Sequence, residues 1–100
     1  MSTFTAIADP VRRDILALLR TGEQPVGALV ETLRLPQPNV SKHLNALRKA
    51  GLVNIRIDGP RRFYSLDLAP LVELDGWLAP YREFWSMKLD ALGDHLKRSD

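Results

Sequence analysis

The chain has 100 residues, 45% of them hydrophobic and 26% charged, with a formal net charge of +2. That length suits one globular domain and argues against two, while a domain this small gains from a second chain that buries apolar surface. The absence of cysteine excludes disulfides, thiolate metal sites and cysteine redox sensing, and no apolar run approaches the roughly 18 residues needed to span a membrane. The stretch Met1-Ser2-Thr3-Phe4-Thr5 has no basic region followed by an apolar one, so no secretory signal is expected and the cytoplasm is the default location.

Phe4 and Ile7, three apart, predict a short first helix. Asp9 can cap a second helix with Pro10 in its first position. Val11, Ile15, Leu18 and Leu19 give that helix its apolar side, and Gly22 closes it near Thr21. Pro25 opens another unit. Val26, Leu29, Val30 and Leu33 predict a short helix that stops before Pro36, followed by a tight turn between Leu33 and Pro38. A fourth helix carries Val40, Leu44 and Leu47 on its apolar side, with Gly51 as its terminating glycine.

After Gly51 the period changes. Val53, Ile55 and Ile57 alternate with Asn54, Arg56 and Asp58, the spacing of a strand, and Asp58-Gly59-Pro60 is turn chemistry. Residues Arg62–Leu66 can return as a second strand, in which either Phe63 or Tyr64 packs the hairpin onto the domain. From Pro70 to about Lys97 an apolar stripe runs through Leu71, Leu74, Leu78, Tyr81, Trp85, Leu89, Leu92 and Leu96, and Pro80 predicts a kink or a break. The expected fold is therefore mostly α with a small β-hairpin wing, in the order α-α-α-α-β-β-α. It is a winged helix-turn-helix spanning residues 1–100. The helix-turn-helix lies at about 26–50, the wing at about 53–66 and a C-terminal dimerisation helix at about 70–97.

Charge is unevenly distributed. Residues 34–65 hold seven Lys or Arg against Asp58 alone, and from Arg34 to Ile57 there is no acid at all. Solvated helices ordinarily mix the two signs, because opposite charges four apart stabilise them. An all-basic stretch gives up that benefit, which points to an anionic partner. On the fourth helix Pro38, Lys42, Asn45 and Lys49 fall opposite the apolar stripe, Asn39 and Ser41 flank them, Gln37 leads the helix and Arg48 lies nearer the core edge. Asn can pair with adenine, and Lys can donate to guanine or phosphate. Arg61 and Arg62 at the hairpin tip can reach phosphates or the minor groove, and Arg56 can clamp the backbone. His43 sits beside the core, as a packing residue. The last helix has a second stripe, Trp77, Phe84 and Ala91, beside the first. Two apolar stripes imply burial on two sides, one against the chain's own domain and one against a second copy.

The stretches "DPVRRDILALL", "LPQPNVSKHLNALRKAGLV" and "GPRRFYSL" resemble the ArsR family of bacterial winged-helix repressors over nearly the whole chain, and "PLVELDGWLAPYREFWSMKLDALGDHL" is similar to its metal-independent branch of SdpR-type autorepressors. The resemblance implies a homodimer joined by its first and last helices, with Phe4, Ile7, Trp77, Tyr81, Phe84, Trp85, Leu89 and Leu92 at the interface. It implies repression by binding a double-stranded operator with an inverted repeat, often the regulator's own. By position it makes Gln37, Asn39, Ser41 and Lys42 DNA readers, with Arg61 and Arg62 on the wing. Some members sense metals, through cysteines before the recognition helix or through Asp and His pairs on the last helix. The cysteines are absent here, and Asp90, Asp94 and His95 do not form the second pattern, so neither a metal nor a cofactor is expected. A small-molecule or protein effector is left open. The alternatives are a winged-helix protein-interaction module without DNA binding, or a ligand- or metal-responsive sensor of the same fold. No nucleophile elbow, phosphate loop, metal pair or carboxylate dyad suggests an enzyme.

Overall fold

The structure is a computed structural model that describes residues 2–98, with side chains as far as Gly93. The elements follow as α1 (Thr3–Ile7), α2 (Pro10–Leu19), β1 (Gln24–Pro25), α3 (Val26–Leu33), α4 (Gln37–Lys49), β2 (Val53–Asp58), β3 (Arg61–Leu66) and α5 (Ala69–Arg98). The Asp9 carboxylate accepts from the Val11 and Arg12 amides at 2.8 and 3.2 Å and starts α2, with Pro10 in the first turn. Arg13 donates to the Ile7 and Ala8 carbonyls at 2.8 and 3.1 Å, which ties the end of α1 to α2.

Ile15, Leu19, Leu29, Val40, Leu44, Leu47, Leu52, Val53 and Tyr64 form the core together with Ala6. The core therefore draws on α2, α3, α4 and the wing, which fixes α4 and the hairpin relative to each other. The end of α4 is a Schellman motif: the Leu52 amide donates to the Leu47 carbonyl and the Gly51 amide to that of Arg48, both at 3.0 Å. Gly51 has φ +77, which an L side chain resists.

The expected order is corrected in one place. Gln24 and Pro25 form a short strand that pairs with Tyr64 and Phe63, so the hairpin is part of a three-stranded antiparallel sheet in the order β1-β3-β2. Two residues, one of them proline, give too short a pattern to read as a strand, and edge placement suits the missing proline N–H. The last helix runs as one element from Ala69 to Arg98, as that order has it, so of the kink or break expected at Pro80 the break does not occur. Pro80 and Gly76, whose carbonyl loses its partner, are both exposed, so water can satisfy that carbonyl.

At about 1.5 Å per residue α5 is about 45 Å long, and it extends well past the domain, giving the chain extents of 63 × 27 × 21 Å. Among the described residues no helix is long and apolar enough to cross a membrane.

Candidate nucleic-acid interface

Helix α4 is anchored by three fully buried residues, Val40, Leu44 and Leu47. That anchor leaves Gln37, Pro38, Asn39, Ser41, Lys42, Asn45, Arg48 and Lys49 exposed. Its first turn has no acid and no side-chain cap, and Arg48 and Lys49 occupy its last turn, where they suit the helix dipole. His43 is half-buried, and its Nδ1 accepts from Arg12 Nε at 3.3 Å. It joins α4 to α2 rather than facing outward. The Asp9 carboxyl nearby is held below the usual carboxylate range. Partial burial opposes this, but the Arg12 and Val11 amides and the charges of His43 and Arg12 outweigh it.

The wing has a regular register, with Ile55 opposite Tyr64, Arg56 opposite Phe63, Ile57 opposite Arg62 and Asp58 opposite Arg61. The loop is Gly59-Pro60. Positive φ at Gly59 (+59) followed by proline is the signature of a type II′ turn. Because side chains alternate along a strand, Arg62 and Tyr64 share one face while Arg61 and Phe63 share the other. Tyr64 is the ring that packs on the domain, at 7% exposure, whereas Ile57 lies beyond the core and is exposed. On the outer face the Arg56 guanidinium stands 4.5 Å from the Phe63 ring centre, and that of Arg61 stands 5.2 Å from it.

The residues expected to meet DNA fall into four groups, the first two of which share Gln37 and Arg62. A cleft of about 380 Å³ between α4 and the wing brings Gln37, Ser41 and Asn45 together with Arg62, and adds Arg48 and Tyr64. A neighbouring cleft places Gln37 with Arg61 and Arg62 beside Gly27 at the start of α3 and Glu31 further along it. Pro38, Asn39, Lys42 and Lys49 line neither cleft and are exposed on other sides of α4. Arg56 is turned away, paired with Glu23 at 2.7 Å and within 3.9 Å of Asp58. Its hydrogen bond to Glu23 raises its own affinity for a proton, against slight burial and with help from the charges of Glu23 and Asp58.

Arg48 is the residue that sequence reasoning placed wrongly, at the core edge. It is exposed and lines the cleft. The signal was present: Gln37, Ser41, Asn45 and Arg48 are spaced four, four and three, which is one helical stripe. What was missing was the direction from which the wing approaches that stripe.

On α5 the stripe expected to pack on the chain's own domain does so only over its first part. Leu71 packs on the core, and Leu74 and Leu78 are half-buried. Beyond them Tyr81, Phe84, Trp85, Leu89 and Leu92 are all exposed, because the helix has left the domain. Trp77 lies edge-on to Phe4 with ring centres 5.0 Å apart, and 4.8 Å from Tyr81. Ile7 is half-buried against the core. The side chains of Asp94, His95 and Leu96 lie outside the described residues. Among those described, no group of three His, Asp or Glu could hold a metal ion.

A helix held by its apolar stripe with an acid-free polar face outward, next to a hairpin with paired arginines, defines a DNA-binding protein of the winged helix-turn-helix class. Comparison with known proteins narrows this. The family described as "Bacterial regulatory protein, arsR family" matches residues 9–54. The chain is 35% identical over 77 residues to the transcriptional repressor SdpR of Bacillus subtilis, covering 77% of this chain and 86% of SdpR. It is 39% identical to the HTH-type transcriptional regulator Rv2034 of Mycobacterium tuberculosis, over 89% of this chain and 87% of that one. Among solved structures, an ArsR-like transcriptional regulator from Rhodococcus sp. RHA1 superposes with a TM-score of 0.74 at 29% identity, covering 94% of this chain and 86% of that one. The chain belongs to the ArsR family of winged-helix transcriptional regulators, a class that binds DNA and is not enzymatic.

Proposed function

We propose that the chain is a homodimeric repressor that binds an inverted-repeat operator, with α4 in the major groove and the wing along the adjacent backbone. The exposed, acid-free face of α4 beside Arg61 and Arg62 is the observation that carries this reading. Gln37, Pro38, Asn39, Ser41 and Asn45 are the base-facing residues, and Lys42, Lys49, Arg61 and Arg62 supply phosphate contacts. Arg56, its charge offset by Glu23, contributes less to the contact than Arg61 and Arg62. The uncovered aromatic and aliphatic stripe of α5, with Phe4 against Trp77, supports the second copy: a row this apolar is costly to leave in water. The name of SdpR, a transcriptional repressor, supports repression.

A gel shift and footprint on the DNA upstream of the protein's own gene, at roughly 0.15 M salt, tests this. The expected result is a protected inverted repeat with half-site centres about 10 bp apart or a multiple of that. Equal affinity for that fragment and for random DNA would overturn the operator reading.

A further inference from the structure

The cleft between α4 and the wing contains a buried residue whose polar end is unexplained. Tyr64 is 7% exposed and its ring belongs to the core. Its hydroxyl has no hydrogen-bond partner among the described residues, and it is not sealed off, since no buried polar side-chain atom there is left unpartnered. The hydroxyl therefore opens on the cleft that Tyr64 lines. Arg62, two residues earlier on the same strand face, lines that cleft, and Arg48 closes it from α4. Neither arginine has an ion pair among the described residues, in contrast to Arg56, and no acid lines the cleft. Gln37, at the opposite end of α4 from Arg48, lines the same cleft.

We propose that this cleft seats one backbone phosphate of bound DNA, with Arg48, Arg62 and the Tyr64 hydroxyl as donors. The proposal rests on the DNA-binding reading above and assigns two residues, Arg48 and Tyr64, that a surface pattern of charge does not single out. Two guanidinium groups and a hydroxyl match the several acceptor oxygens of a phosphate. Ser41 and Asn45 in the same wall belong to the DNA-facing side of α4, so the occupant is continuous with a duplex lying there. A free phosphate ester shares this chemistry but would have to leave before DNA docked.

The test uses the full chain and a short labelled duplex of random sequence, because phosphate contacts dominate non-specific binding. Affinity is measured between about 50 and 200 mM salt. Arg48→Gln and Arg62→Gln should each flatten the slope of log affinity against log salt by about 0.9. Tyr64→Phe keeps the ring in the core, so its melting curve should match the parent. It should lower affinity about tenfold with the slope unchanged, because it removes a donor and no charge. A parent protein with no affinity for the duplex overturns the DNA reading and the seat with it. A parent that binds, with Arg48→Gln keeping its full slope and Tyr64→Phe its full affinity, overturns the seat alone. In a second arm, inorganic phosphate is titrated at constant ionic strength. Phosphate binding lost in the variants while duplex affinity stays intact assigns the cleft to a free phosphate ester and overturns the DNA assignment.

Discussion

Arg56 on β2 and Glu23, immediately before β1, form a two-armed ion pair. Nη2 donates to one carboxylate oxygen at 2.7 Å and Nε to the other at 3.1 Å. The pair links the outer face of the wing to the loop that enters the sheet from α2, and the Phe63 ring backs the guanidinium at 4.5 Å. The hydrogen bond from Arg56 holds the Glu23 carboxyl below the usual carboxylate range, with burial opposing and the Arg56 charge adding to it.

This pairing predicts a pH-dependent contribution to stability. A carboxyl whose folded pKa is lowered stabilises the fold above its ordinary value of 4.5 and loses that effect as pH falls through the folded value. Glu23→Gln should melt below the parent at neutral pH and alongside it at about pH 3. The difference should be small, since exposed pairs contribute little. Thermal melts of both proteins at the two pH values check this. A deficit that persists in acid would mean that the carboxylate charge is not its source.

Lys42 and Lys49 stand on the outward side of α4, away from the wing cleft. Each alanine substitution should flatten the salt dependence of DNA binding by about 0.9 in slope and weaken operator and random DNA alike. Fluorescence anisotropy across a salt series measures both. Unchanged slopes would remove the two lysines from the interface.

Asn45 lies in the cleft wall beside Ser41. As a base reader, its replacement by alanine should cost about 1–3 kcal/mol on the operator and little on random DNA. Competition binding with the two duplexes separates the cases, and equal losses on both would reassign Asn45 to the backbone.

Phe84 is 62% exposed in the part of α5 that has left the domain. Phe84→Asp places a charge in the proposed dimer seam without touching the core. It should shift sedimentation towards the monomer and weaken operator binding, because one half-site then has to hold alone. An unchanged dimer would place the seam on another side of α5.

Gly51 takes φ +77, and a Cβ there would meet only Pro70 at an ordinary 3.7 Å. Strain is therefore conformational rather than steric. Gly51→Ala should destabilise the chain by about 1–2 kcal/mol in chemical denaturation. It should leave the DNA salt slope as it was, since no charge changes.

Much of this protein is legible along the chain because its signals are local. Asp9-Pro10 starts a helix, Val40, Leu44 and Leu47 mark one buried side of another, and the switch to alternation after Gly51 marks the hairpin. The acid-free run from Arg34 to Ile57 indicates an anionic partner before any fold is known. Other features leave no such mark. Arg34 ends α3 at φ +57 with its amide on the Val30 carbonyl at 2.9 Å, yet nothing in its neighbours calls for a left-handed residue. Pro80 looked like an interruption because the exposure of the Gly76 carbonyl is not written locally.

The sequence by itself determined the helices, the hairpin and the sign of the partner, since these follow from periodicity, capping and charge within a few residues. Only the tertiary structure decided how the basic residues divide. Pairing across the sheet commits Arg56 to Glu23, thirty-three residues earlier. The alternation of β3 sends Arg61 and Arg62 to opposite faces, and the burial of the Tyr64 ring on the domain leaves Arg62 lining one cleft with Arg48. Those choices depend on which segments pack together, and no spacing along a single segment encodes that.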